Sequence, residues 1–259
     1  MLADVPVLVP EPARWCATFF EPALAALAEV GAVTSAGVET LRAFASVAPG
    51  VEPARFSDDW TAWEATGRAA PPFAEGPARE VLERLSSLAD AAGPGAFVLE
   101  RVPDGVVLEV GCGVGRLSRR LARPRRRHLV GDLSLRAVLL SARAAAGAVP
   151  VVLDAEALPI ARGRLDALVA EHVVDLLDDA EAFFAAAARA VAPQGLALVT
   201  TPRPALDAPD DDDGRLATLA RRAGFAVEAR ADGLPWLRRN DGRFLEVWLV
   251  QALALRRRR

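Results

Sequence analysis

The stretch Val106-Val-Leu-Glu-Val-Gly-Cys-Gly-Val-Gly115 decides the fold, because an apolar run passes directly into three closely spaced glycines. The pattern predicts a buried strand, a tight turn and then a helix. Glycines let the backbone turn sharply and approach a ligand closely, and the N-terminus of a helix offers free N–H groups. We therefore expect a nucleotide-like ligand across the turn. The dinucleotide fingerprint needs its third glycine where Arg116 stands, so a pyrophosphate cofactor fits less well.

Short apolar runs alternate with helical segments from about residue 100 onward, which is typical of a parallel sheet with helices on both faces. The sequence predicts an α/β fold with a doubly wound, seven-stranded, mostly parallel, Rossmann-like sheet. The predicted strands are Val106–Val110, His128–Asp132, Val151–Leu153, Leu165–Ala170, Ala197–Thr201, Ala226–Ala231 and Leu245–Ala252. Only a predicted loop, Asp232–Phe244, separates the last two, so we expect an antiparallel hairpin at one edge.

With Glu109 included, the glycine turn has the pattern acidic-x-Gly-x-Gly-x-Gly. Over about Val106–Thr201 the sequence resembles the class I S-adenosylmethionine-dependent methyltransferases. The resemblance implies that this turn holds the methionine part of S-adenosylmethionine. The candidate cofactor-binding residues of the turn are Glu109, Gly111, Cys112 and Gly113.

A carboxylate ends the second strand, in Leu129-Val-Gly-Asp-Leu-Ser134. In the family that the sequence resembles, an acid here binds the ribose hydroxyls, which implies that role for Asp132, with Leu133 beside it. The residues also support this directly, because a carboxylate about twenty residues beyond the glycines can accept two hydroxyl hydrogen bonds. The alternative is that Asp132 caps the next helix, a role that Ser134 fits equally well.

Two further strand ends match the family. Val152-Leu-Asp-Ala-Glu-Ala-Leu-Pro159 resembles the motif whose acid reaches the adenine amino group, which implies that role for Asp154 and the backbone of Ala155. The turn beneath the reactive sulfonium holds Glu171, a further candidate for cofactor binding, and His172. The Asn or Asp, two prolines and an aromatic residue found there in many nucleic-acid and protein N-methyltransferases are absent.

His172 is the candidate catalytic residue. A neutral imidazole there could take the proton from a hydroxyl that attacks the methyl group, since its ordinary pKa lies near working pH. Alternatively, His172 packs over the adenine or pairs with a loop carbonyl. Methyl transfer from a sulfonium needs little acid or base help with a good nucleophile, so alignment alone can supply most of the acceleration.

The N-terminal part of the chain has apolar residues at helical spacing. We expect residues 1–95 to form a helical extension and residues 96–259 to form the methyltransferase domain. In the family that the sequence resembles, such helices commonly fold over the strand ends, so we expect an acceptor-side lid. Trp60, Trp63 and Phe73, with Trp236, are candidates for its aromatic wall, and ordinary core packing is the alternative.

Charge and cysteine content limit the kinds of ligand and partner that we expect for this protein. The 31 basic and 34 acidic residues give a net charge of −3, so the chain has no overall field that attracts nucleic acid. Seven arginines between Arg116 and Arg127 are expected to be solvated, and His128 is expected at the surface. Two cysteines far apart exclude a disulfide framework and a multi-cysteine zinc site, and we expect no metal. No apolar run reaches the roughly 20 residues of a membrane span. We expect a cytoplasmic, bacterial protein.

Together these patterns predict an enzyme that transfers a methyl group from S-adenosylmethionine to an oxygen or nitrogen of a small-molecule acceptor, such as a bacterial metabolite. Two alternatives stay open. One is an RNA or protein methyltransferase, which the arginine-rich segment would favour if it bound phosphates. The other is a protein that binds S-adenosylmethionine without transferring its methyl group.

Overall fold

The computed structural model describes residues 1–50, 77–202, 214–240 and 244–259. The predicted aromatic wall residues Trp60, Trp63 and Phe73 lie outside the described residues. Within the described ranges, no helix is long and apolar enough to cross a membrane.

Eight strands of the described chain form one sheet. They are β1 (Val7–Leu8), β2 (Gly105–Val110), β3 (Arg126–Asp132), β4 (Val149–Leu153), β5 (Leu165–Glu171), β6 (Val191–Thr201), β7 (Phe225–Asn240) and β8 (Phe244–Arg257). Their spatial order is β1-β4-β3-β2-β5-β6-β8-β7, with β8 antiparallel to both neighbours and the other pairs parallel. The predicted fold class is confirmed. The predicted strand count was one short, because Val7–Leu8 pairs with Val152–Leu153 and is too short to show a strand pattern.

Helices cover both faces of this sheet. They are α1 (Pro12–Thr18), α2 (Phe20–Glu29), α3 (Ser35–Ala45), α4 (Pro77–Ala92), α5 (Pro94–Arg101), α6 (Ser118–Leu121), α7 (Leu135–Ala144), α8 (Ala180–Ala190) and α9 (Arg215–Arg222). Successive side chains of a strand point to opposite faces. Accordingly Leu108 and Val110 of β2 join one apolar cluster with α8 and α9, whereas Val107 joins another with α5 and α6. The sheet is therefore doubly wound.

The strand order creates a switch point between β2 and β5. The chain runs from β2 to β3 and β4 on one side, then crosses to β5 and β6 on the other. In open α/β sheets, ligands bind in the crevice outside the carboxyl ends of the strands at such a point. The turns that follow Val110 and Glu171 border this crevice.

The N-terminal segment packs beside β3 and β4. Residues from α1, α2 and α3 share an apolar cluster with Cys112, Val130 and Val152. Arg136 of α7 pairs with Glu29 of α2 at 2.8 Å between Nη2 and Oε1. This places α1 to α3 next to the half of the sheet that carries Asp132 and Asp154. The boundary between residues 95 and 96 stays a prediction.

The last two strands form a longer hairpin than the sequence predicts. The expected loop Asp232–Phe244 is mostly strand, because the pairing of β7 with β8 continues to Asn240 and Phe244. Gly233 and Pro235 are typical loop signals, but β7 is an edge strand, where proline is tolerated. The register shifts between Ala231 and Leu234, and Gly233 adopts a φ of +74°.

Part of this hairpin extends beyond the rest of the sheet. The last residue of β6, Thr201, pairs with Gln251 of β8. Residues 234–240 and 244–250 therefore continue past the end of β6, and we call them the arm. Because β6 is parallel to β5, the arm projects from the carboxyl edge of the sheet, where the crevice lies. The backbone of Pro235 in the arm also packs closely on Gly93, between α4 and α5.

Candidate active site

The glycine turn after β2 has room for a ligand at one of its glycines. Gly111 and Gly113 adopt φ values of +65° and +49°, which side chains rarely tolerate. A Cβ at Gly111 would lie 2.3 Å from Cγ2 of Val173, so glycine is needed where the turns after β2 and β5 touch. A Cβ at Gly113 would meet no described atom within 4 Å. Gly113 is therefore the point of the turn at which a ligand can approach the backbone.

Cys112 contributes packing to the turn. Its side chain is buried in the cluster with α1 to α3. Burial, and then the nearby carboxylates of Asp132 and Glu109, raise the pKa of its thiol well above the ordinary value, so the thiol stays protonated. The backbone of Cys112 is held by its N–H, which donates to the carbonyl of Gly131 at 3.1 Å. Only the backbone of Cys112 is placed to meet a ligand in the crevice.

Asp132 joins two turns at the carboxyl edge. Its Oδ2 accepts a hydrogen bond from the N–H of Gly113 at 3.1 Å, and its Oδ1 accepts one from the N–H of Ser134 at 3.0 Å. The hydroxyl of Ser134 accepts from the N–H of Ala137 at 3.2 Å and caps α7. The helix cap is therefore Ser134. The half-buried Asp132 carboxylate therefore holds the glycine turn, and its role toward the ribose stays a prediction.

Asp154 ends β4 at the same edge. Asp132 and Val152 are register partners in neighbouring parallel strands, which brings the ends of β3 and β4 together. The Oδ1 atom of Asp154 accepts a hydrogen bond from the N–H of Glu156 at 2.8 Å. Ala155 is buried and packs in the cluster under α8. The carboxylates predicted to bind ribose and adenine therefore follow adjacent strands.

The carboxylate of Glu109 is buried and pairs with His128, so it does not lie at the open end of the strand. Its Oε2 is 3.1 Å from Nε2 of His128, and both side chains are at most 3% exposed. The expectation of a surface histidine is wrong, because His128 faces inward from a central strand although arginines precede it. Glu109 shares its face of β2 with Val107, whose cluster contains α5 and α6. The role of Glu109 toward the cofactor stays a prediction.

His172 follows β5 in a strained conformation. Its φ of +57° is uncommon for a residue with a side chain. Its N–H donates to the carbonyl of Thr200 at 3.0 Å. The imidazole stacks on Trp236 of the arm, with 4.3 Å between ring centroids, and neither ring nitrogen has a hydrogen-bond partner among the described residues. Burial lowers the pKa of His172 to about 3, so the ring is neutral at pH 7.

Glu171 turns toward α5. A Cβ at Gly95 would lie 3.5 Å from Oε1 of Glu171 and 3.1 Å from Nη1 of Arg120. Arg120 also donates to the carbonyl of Asp90 at the end of α4, at 3.3 Å. Arg120 therefore joins α4 to the edge of the crevice and is not a purely solvated arginine. The predicted contact of Glu171 with the cofactor stays a prediction.

The arginine-rich segment has one buried member. Arg126 donates hydrogen bonds to the carbonyls of Val102, Pro103 and Leu121, so the expectation that all seven arginines are solvated is wrong. The exposed arginines of the segment are Arg116, Arg119, Arg123, Arg125 and Arg127. Among the described residues, no group of three His, Cys, Asp or Glu side chains could hold a metal ion.

Two tryptophans near the site carried little sequence signal. Trp248 pairs with Trp236 across the arm, with 6.4 Å between ring centroids. Trp248 lies in the predicted strand Leu245–Ala252, but its partner Trp236 lies in the predicted loop Asp232–Phe244. Trp15 of α1 donates from Nε1 to the carbonyl of Leu133 at 3.0 Å. This contact joins residues 118 apart in sequence, so no local pattern could indicate it.

Comparison with known proteins supports the fold. Residues 108–199 match the family model for a methyltransferase domain. A chain from the complex of the Haloferax volcanii Trm112 methyltransferase activator with a methyltransferase is 16% identical, with a TM-score of 0.54 over 76% of this chain and 98% of that one. The [4+2]-cyclase SpnF is 18% identical, with a TM-score of 0.51 over 63% of this chain and 79% of that one. No curated protein sequence matches the chain.

The glycine turn, the strand-end carboxylates and the family match define the class. The chain contains a methyltransferase domain, matched over residues 108–199. The likeness to solved structures concerns the fold alone, and that fold is shared by a cyclase. The fold therefore does not identify the acceptor.

Proposed function

We propose that this methyltransferase acts on an oxygen or nitrogen of a small-molecule acceptor bound beneath the arm. The observation that carries the proposal is the imidazole of His172, which is buried under Trp236 with both nitrogens unpaired among the described residues. Burying an unpaired polar group costs free energy, and so does a left-handed backbone at a residue other than glycine. Such costs are typical of functional sites. A hydroxyl or amine of an acceptor would supply the missing hydrogen bond.

The cofactor fits at the ends of β2, β3 and β4. Gly113 leaves open space beside the glycine turn, and Asp132 stands next to it. We assign the methionine part of the cofactor to the turn formed by Gly111, Cys112 and Gly113.

The other proposed contacts follow the next strands. They are Asp132 and Leu133 to the ribose, Asp154 and Ala155 to the adenine, and Glu109 and Glu171 at the borders of the site. Bound there, S-adenosylmethionine would supply an electrophilic methyl group, which the acceptor's lone pair would take as the carbon–sulfur bond breaks and the acceptor's proton leaves.

The arm supplies the acceptor side. Trp236 and Trp248 are half-buried on the same face of the arm as cross-strand partners, and Trp236 stands over His172. Two indoles offer a large apolar surface that excludes water and aligns a small acceptor. Because the carboxyl ends of β2 and β5 meet at the switch point, an acceptor beside His172 lies next to the cofactor site.

The low pKa of His172 favours alignment over base catalysis. An efficient general base has a pKa near the working pH, whereas burial keeps this imidazole neutral and weakly basic. A neutral ring nitrogen can still accept a hydrogen bond from the acceptor and fix its orientation. We therefore propose that His172 orients the acceptor. The acceptor's proton then leaves to solvent and is not taken up by the imidazole.

Replacing Trp236 with alanine should lower kcat/KM for the acceptor roughly 30-fold, since a partly buried indole contributes about 2 kcal/mol to binding. The affinity for S-adenosylhomocysteine should change less than about twofold, because Trp236 is on the acceptor side. The assay is release of S-adenosylhomocysteine with a panel of small phenols, alcohols and amines. Val247→Ala is the matched control, because Val247 lies in the arm with an exposed side chain.

Three results would contradict the proposed function. One is turnover on RNA or protein but on no small molecule, with RNA binding that weakens as salt rises. Another is tight cofactor binding without turnover on any acceptor. The third is an equal loss of activity in Trp236→Ala and Val247→Ala, which would remove the arm from acceptor binding.

A further inference from the structure

We propose that Trp15 in α1 is a positioning residue for the cofactor site. Its indole holds the turn after β3, next to Asp132, so α1 contributes to the affinity for S-adenosylmethionine. This inference rests on the proposed ribose role of Asp132. It differs from the expected lid, because it assigns α1 to the cofactor side of the molecule.

The contact is a partly buried hydrogen bond from a buried side chain. Trp15 is 5% exposed, and its Nε1 donates to the carbonyl of Leu133 at 3.0 Å. Leu133 lies between Asp132, which binds the N–H of Gly113, and Ser134, which caps α7. Every part of this short turn is thus tied to a different element. The hydrogen bond from the indole connects this turn to the N-terminal segment.

Packing supports the same geometry. The Trp15 ring lies 5.7 Å from the ring of Phe19, and both belong to the cluster that includes Cys112 of the glycine turn. Leu133 packs against the same cluster. The N-terminal layer, formed by α1 to α3, therefore contacts both the glycine turn after β2 and the turn after β3, which Asp132 connects. A displacement of α1 would reach Gly113 and Asp132 together.

The edge of the sheet fixes this layer in place. Val152 donates its N–H to the carbonyl of Pro6 at 2.9 Å, and Val7–Leu8 pairs with β4. The ion pair between Glu29 and Arg136 ties α2 to α7, the helix that Ser134 begins. Because the layer is anchored on both sides of the turn, the indole N–H is held at a set position. Such support from residues behind a binding site keeps its contacting groups in the productive geometry.

The test replaces Trp15 with phenylalanine, which keeps an aromatic ring and removes the N–H donor. The affinity for S-adenosylhomocysteine, measured by calorimetry, should fall roughly fivefold, the scale of one neutral hydrogen bond. In turnover assays the KM for S-adenosylmethionine should rise by a similar factor, while kcat at saturating cofactor stays within about twofold. Leu41→Val is the matched control, because Leu41 is buried in the same cluster but belongs to α3. Its affinity should remain that of the wild type.

Two outcomes would overturn the inference: an unchanged affinity in Trp15→Phe, or an equal loss in Leu41→Val. A measurement on the wild type keeps the test valid if the variant does not fold. Binding of S-adenosylhomocysteine should slow hydrogen exchange in peptides from α1 and from residues 132–134 together, and protection of residues 132–134 without α1 would also overturn the inference. If Asp132→Ala binds S-adenosylhomocysteine normally, the ribose assignment fails and the inference fails with it. If Asp132→Ala binds weakly but Trp15→Phe binds normally, only the role of Trp15 is overturned.

Discussion

Replacing Asp132 with alanine will weaken binding of S-adenosylhomocysteine about 100-fold, equivalent to about 2–3 kcal/mol. Two losses combine in this variant. The hydrogen bonds from the carboxylate to the ribose disappear, and charge-assisted bonds of this kind are stronger than neutral ones. The N–H groups of Gly113 and Ser134 also lose their acceptor, so the glycine turn is no longer held against β3. Calorimetric titration with S-adenosylhomocysteine measures the effect.

Asp104→Ala is the matched control for this result. It removes the same charge from a half-exposed side chain, but Asp104 lies just before β2, at the opposite edge of the sheet. Its affinity for S-adenosylhomocysteine should equal that of the wild type. Binding by Asp132→Ala within about threefold of the wild type, or an equal loss in Asp104→Ala, would remove Asp132 from the cofactor site.

Acid will destabilise the wild type more than a variant in which His172 is asparagine. The folded protein holds the pKa of His172 at about 3, below its ordinary value of 6.5. Above pH 6.5 the imidazole is neutral in both the folded and the unfolded protein, so its protonation does not lower the free energy of unfolding. As the pH falls toward 3, the unfolded chain binds a proton that the folded protein does not, and the free energy of unfolding falls. Between pH 7 and pH 4 the wild type should lose about 3 kcal/mol more than His172→Asn.

Asparagine suits this test because it tolerates the left-handed backbone of His172 and does not titrate. Urea unfolding at pH 7 and pH 4 gives the two free energies of unfolding for each protein. Equal losses of stability in the two proteins would show that folding does not lower the pKa of His172. The same variant tests the catalytic role. A wild-type inflection of kcat/KM near neutral pH that disappears in His172→Asn would identify a general base instead of an orienting group.

The central half of the fold could be predicted because its signals are local. The apolar strand, the glycines and the carboxylates after successive strands all follow each other in sequence, and the parallel sheet brings them to one edge. The first strand of the arm, residues 234–240, was missed for the opposite reason, whereas most of the second lies in the predicted strand Leu245–Ala252. Gly233 and Pro235 give strong local loop signals, whereas their strand pairing depends on residues of β8.

The position of the N-terminal helices also depended on distant residues. An amphipathic stripe shows that a helix must be covered, but it does not show by which surface. The stripe of α1 and α2 is covered by β3, β4 and α7, through contacts such as Trp15 with Leu133. The same limit applies to His128, whose burial follows from the central place of β3 and not from its arginine neighbours.

Hydrogen exchange with and without S-adenosylhomocysteine tests the assignment of the cofactor site, because it locates the bound molecule without knowledge of the acceptor. This assignment predicts slower exchange in peptides that contain residues 111–115, 132–134 and 154–157, and unchanged exchange at the start of β2, at the opposite edge of the sheet. Saturating binding that leaves these three peptides unchanged would contradict it.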